Sequence, residues 1–98
     1  MNMTIKSTAD GDTMTVTLEG WLDTQAASEL SALIEDLPEE IKAVAFDCEK
    51  LEYISSSGIR QIVAAYKKVN GNFELRNVSA EIMEILKMTG IAKRVKIV

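Results

Sequence analysis

The chain of 98 residues is long enough for one domain with a modest core, and its 47% hydrophobic and 27% charged content excludes disorder. A net charge of −4, from 11 basic and 15 acidic residues, argues against a nucleic-acid partner, and the lack of histidine removes the usual neutral-pH base and transition-metal ligand. The lone cysteine, Cys48, excludes an internal disulfide and a structural zinc site, so no metal or cofactor is expected. No apolar run approaches the ~20 residues that cross a bilayer, so no membrane partner is expected. The opening "MNMTIKSTAD" lacks the charged-then-apolar build of a secretion signal, which makes the cytoplasm the expected location.

In chain order, Met3 and Ile5 begin a short alternation. "TMTVTLEGW" then alternates Met14, Val16 and Leu18 with polar residues, the period-2 mark of a half-buried strand. Asp10-Gly11 between them signals a turn, so the two segments predict a hairpin. The Asp23-Thr24 pair offers an N-cap. Behind it Ala27, Leu30, Ile34 and Leu37, joined by Leu33, predict a helix that Pro38 ends. "IKAVAFDC" reads as a strand covered on both sides. After the loop "LEYISSSGIR", Ile59, Ile62, Val63, Tyr66 and Val69 recur at helical spacing until Asn70-Gly71. "NFELRNV" reads as a strand. Ser79 caps a helix carrying Ile82, Ile85 and Leu86, Gly90 closes it, and "RVKIV" is a last strand. The basic cluster Lys93, Arg94 and Lys96 reads as a solvated strand edge. Met83 and Met88 read as gap-fillers near the helix–sheet seam, ahead of a use at an interface.

No repeat, low-complexity tract or linker interrupts this order, so residues 1–98 are expected to form one domain. Strands alternating with helices predict an α/β fold with a mixed β-sheet: parallel central strands, crossover helices and a leading hairpin. Exposed edges at Met3–Ile5 or the C-terminus leave a monomer or weak dimer as the expected state.

The loop of three serines sits where a strand hands over to a helix, the position at which such folds gather exposed chemistry. With Ser55 as N-cap, Ser56 and Ser57 fall in the first helical turn, where free N–H groups favour an anion. Gly58 is expected to keep that turn open to an approaching backbone. A nucleophilic enzyme would need a base for the hydroxyl. There is no histidine, and Arg60, three residues after Ser57, cannot deprotonate usefully. "SSSG" lacks the Gly-Lys-Ser/Thr end of a nucleotide-binding loop. From composition and spacing alone the plain reading leads: a serine-rich cap worth about 1 kcal/mol.

The stretches "LEGWLDTQAASEL", "AVAFDCEKLEYISSSGIRQIVAAYKKV" and "MEILKMTGIAKRVKIV" together resemble the STAS domain, most closely the bacterial anti-sigma factor antagonists. The resemblance runs from about the second strand to the C-terminus. It implies a STAS-like fold and a non-enzymatic protein acting in transcription regulation. Its partners would be an anti-sigma factor that is itself a serine kinase, and a phosphatase. The family loop reads Asp-Ser-Ser/Thr-Gly-Leu, with the serine after the aspartate phosphorylated. On this chain Ser55 takes the aspartate's place, Ser56 the acceptor's, Ser57 the next hydroxyl's, Gly58 the glycine's and Ile59 the leucine's. Serine keeps the cap and loses a fixed negative charge beside the acceptor, which leaves Ser57 and Ser55 open as alternative acceptors. Asp23 matches an aspartate near the phosphorylation site, with helix capping as its other role. Asp47 matches an acidic or amide position at a strand end.

The partner-binding surface is thus expected around Asp23, Thr24, Ser55, Ser57, Gly58 and Ile59, with Trp21 either in the hydrophobic body or an anchor beside it. The implied mechanism is partner switching. The unmodified protein binds the anti-sigma factor and frees a sigma factor, and phosphorylation blocks that binding. A second reading is a STAS subunit of a lipid-transport or stress-signalling assembly that is never phosphorylated. A ligand- or nucleotide-binding role has no phosphate-gripping lysine in the loop.

Overall fold

The computed structural model describes residues 3–98. Two antiparallel strands lead, β1 (Met3–Asp10) and β2 (Thr13–Leu22), turning at Gly11, whose φ of 64° suits glycine. Three crossovers follow: α1 (Thr24–Glu35) to β3 (Ala43–Ile54), α2 (Ser56–Lys68) to β4 (Phe73–Arg76), and α3 (Ala80–Met88) to β5 (Lys96–Ile97). The sheet order is β1-β2-β3-β4-β5, with every pair after the hairpin parallel. This is the mixed α/β sheet expected from the sequence.

Because the strands are laid down in one direction, right-handed crossovers stack every helix on the same face of the sheet. The core lies between. Val16 and Leu18, Val44, Phe46 and Cys48, and Phe73 and Leu75 point into it from the strands. Leu30 and Ile34 of α1, Ile62 and Ala65 of α2, and Ile82 and Leu86 of α3 meet them from above. Phe46 and Phe73 pack edge to face at 4.9 Å. The opposite sheet face carries Thr15, Thr17, Asp47, Glu74 and Arg76, and none of the described helices covers it.

Four local features depart from the sequence reading. First, β3 does not stop at Cys48 but runs on through Ile54. Its pairing with β2 shifts register between Thr17 and Glu19 and again after Gly20, where the glycine takes a φ of 102°. At these bulges β3 carries extra residues, so its buried positions Cys48, Leu51 and Ile54 recur every third residue. That period hides a strand. Asp47 is therefore mid-strand, not at a strand end, and its Oδ1 accepts from the side-chain amide of Asn77 at 3.1 Å.

Second, α1 ends at Glu35 and leaves Leu37 half-buried beyond it, with Ala26 joining the inward face. Third, a 3-10 turn at Ile91–Lys93 follows Gly90 (φ 81°), buries Ile91 and shortens the last strand to two residues. Fourth, Met88 is 85% exposed and fills no gap. Lys93, Arg94 and Lys96 are exposed, and the Lys96 ammonium lies 3.9 Å from Glu74.

Cys48 is buried in the core, and burial, with a smaller contribution from the Asp47 charge, pushes its thiol up to about 12. A buried neutral thiol is neither nucleophile nor ligand. Ellman's reagent at pH 8 is expected to label Cys48 only after the chain is unfolded in denaturant. Rapid native-state labelling would contradict this packing.

Candidate functional site

The adjacent parallel strands β2 and β3 end side by side, and each hands over to its helix through a residue of the same backbone shape. Asp23 (φ −87°, ψ −173°) caps α1, its Oδ1 accepting from the Ala26 N–H at 2.9 Å. Ser55 (φ −87°, ψ 171°) caps α2, its Oγ accepting from the Gly58 N–H at 3.1 Å. The Ser55 N–H in turn donates to the Leu22 carbonyl at 2.9 Å, which ties the two strand ends together. Both helix mouths are thereby held together at the carboxyl end of two interior strands, α1 beside α2.

On this frame the sequence-selected residues fall into two layers. Thr24 and Ser56 are exposed, and Asp23, Ser55, Ser57 and Ile59 are half-buried. The Ser55 oxygen is engaged in the cap, whereas the Ser56 hydroxyl makes no hydrogen bond among the described residues. No acidic side chain stands in the first turn of α2, so its free amides face solvent without a competing carboxylate.

Gly58 differs from its expected role. It is buried, and a Cβ there would lie 2.8 Å from both Ile54 Cγ1 and Leu22 Cγ. What lies against it within the chain is the side chains of the two strand ends. It fixes how closely α2 sits on the sheet.

Two residues add to what sequence reasoning found. Tyr53 is 41% exposed and pairs across the strands with Trp21, 38% exposed, their ring centroids 5.3 Å apart. Both precede a helix mouth by two residues or fewer, so a half-open aromatic patch adjoins the serine turn. Trp21 alone was visible in the sequence, because Tyr53 only becomes its neighbour through the bulge. Arg60, considered before only as a poor base, lines a groove between the helices. That groove of about 310 Å³ is flanked by Thr24, Ser28 and Ser31 of α1 and Ser57, Arg60 and Gln61 of α2.

Among the described residues no His, Cys, Asp and Glu cluster could hold a metal ion. No polar or charged side chain among them is buried. No described helix is long and apolar enough to cross a membrane.

The STAS domain profile matches residues 4–98. This chain belongs to the STAS family. Solved STAS structures superpose over nearly its whole length. The anti-sigma factor antagonist SpoIIAA in its unphosphorylated form shares 17% identity at a TM-score of 0.77, covering 99% of this chain and 87% of that one. An anti-sigma factor antagonist from Mycobacterium paratuberculosis shares 19% identity at a TM-score of 0.78, covering 98% of this chain and 85% of its own. The Bacillus cell fate determinant SpoIIAA in its phosphorylated form gives 17% identity, a TM-score of 0.66 and coverage of 99% and 91%. At these identities the likeness is one of fold. Within it, the STAS core of this chain is the single α/β domain with five strands and three helices described above.

Proposed function

We propose that this STAS domain is a cytoplasmic anti-sigma factor antagonist that works by partner switching. The observation that carries the reading is the placement of Ser56: exposed, without a side-chain hydrogen bond among the described residues, and presented from a helix mouth beside Asp23 and the Trp21–Tyr53 pair. An anti-sigma factor with serine kinase activity docks on this end of the sheet, contacting Asp23, Thr24, Ser55, Ser57 and Ile59, and releases its sigma factor. The kinase then moves the γ-phosphoryl group of ATP onto Ser56 Oγ, with ADP and the hydroxyl proton as the other products.

The modified serine carries about −1.5 to −2 charges. The first turn of α2 tolerates them, because its unpaired N–H groups and helix dipole favour an anion there. Docking does not. A charge buried without a partner in a complementary interface costs several kcal/mol, so the complex dissociates while the fold persists. A phosphatase resets the switch. The fold likeness to SpoIIAA, solved in both unphosphorylated and phosphorylated forms, supports this reading.

The test is to incubate the chain with ATP and the kinase-fold protein encoded nearest to it, then map any mass gain of about 80 Da. The label is expected on Ser56 and is expected to vanish in Ser56→Ala. A label that survives in that variant moves the acceptor to Ser57 or Ser55. No label at all refutes switching and leaves the unphosphorylated assembly subunit.

A further inference from the structure

We infer that Arg60 is the electrostatic partner of a phosphoryl group on Ser56, one helical turn along α2. The inference rests on Ser56 as acceptor, and it assigns a positioning residue that favours the modified state.

Ser56 and Arg60 are four residues apart on one helix, a spacing that puts both side chains on the same flank with Cβ atoms about 5–6 Å apart. Arg60 is exposed, and it lines the α1–α2 groove together with Ser57, the residue that follows Ser56 in the first turn. Its guanidinium is uncommitted. The ion pairs among the described residues join Arg76 and Lys96 to Glu74, and none involves Arg60.

Arg60 is the fifth residue of α2, just past the first turn, whereas the other basic residues of the helix, Lys67 and Lys68, stand in the last turn where they suit the dipole. A phosphoryl group on Ser56 gives the guanidinium a partner, its oxygens accepting from the guanidinium fork and from the free first-turn amides together. Ser55 contributes by being neutral: a carboxylate cap at that position would repel the new dianion, and a hydroxyl does not.

The experiment needs no kinase. Phosphoserine is placed at position 56 of the full chain during translation through an expanded genetic code, in the wild-type, Arg60→Ala and Arg60→Lys backgrounds. The phosphate is then titrated by phosphorus NMR. Its second pKa is expected to be lower by about 0.5 in the wild-type background than with Arg60→Ala. Arg60→Lys should recover part of the difference, and roughly 1 M salt should erase it. A merely structural role for Arg60 would move the melting point of the unmodified chain, which is expected to be the same or higher in Arg60→Ala. If that variant folds poorly, Arg60→Gln gives the same comparison with its length kept.

Coincident titration curves in the wild-type and Arg60→Ala backgrounds would overturn the clamp alone. A phosphoserine-56 chain that still binds the anti-sigma candidate as tightly as the unmodified chain would instead overturn partner switching, and leave the clamp standing.

Discussion

Ser56→Asp is expected to weaken binding of the anti-sigma factor by tenfold or more, about 1.4 kcal/mol, while the melting temperature stays the same or rises slightly. The two readouts separate because they depend on different surroundings of one position. Within the monomer, an aspartate in the first turn of α2 meets free amides and no acid in its own turn, a setting worth about 0.3–1 kcal/mol to the helix. Within the complex, the same charge must be desolvated against a surface that evolved to meet a neutral hydroxyl. Calorimetric titration gives the affinity and a thermal melt gives the fold. An unfolded variant, or one that binds normally, would remove Ser56 from the centre of the mechanism.

Gly58→Val is expected to destabilise the chain by about 3 kcal/mol, lowering its melting temperature by roughly 15 °C. Ordinary helix propensity argues the other way, since replacing a glycine inside a helix usually gains up to about 1 kcal/mol. Packing decides. The new Cβ would stand 2.8 Å from atoms of Ile54 and Leu22, both 3% exposed or less and neither able to swing into solvent. The helix mouth would have to lift from the strand ends, stretching the 2.9 Å bond between the Ser55 N–H and the Leu22 carbonyl. Gly58→Ala is expected to lose about 1 kcal/mol, the overlap outweighing the propensity gain. A rise in melting temperature for Gly58→Ala would show that α2 sits less tightly than described.

Much of this was legible from residues whose signals are local. Asp23, Ser55 and Ser79 each cap the helix that follows, and each side chain accepts a bond from the N–H three residues on. Met14, Val16 and Leu18 alternate as a strand facing one core must. Asn70 (φ 54°) and Gly71 (φ 88°) stop α2 in left-handed geometry, with the Gly71 N–H donating to Tyr66.

What escaped were the features that two segments create together. The second half of β3 reads as loop because register shifts against β2 space its buried residues by three. The neighbourhood of Trp21 and Tyr53 follows from those same shifts, so the aromatic patch has no signature in either segment alone. Gly58 reads as a backbone requirement, since nothing local reveals that Leu22, far back in the chain, lies against it. The last strand was overcounted because Val95, apolar and next to the strand, is buried in the core before the ladder begins, and only Lys96 and Ile97 pair with β4.

The cap of α2 is an alcohol, not an acid, and an alcohol has no proton to gain on mild acidification. The turn that displays Ser56 is therefore anchored with the same strength in an acidified cell as in a neutral one.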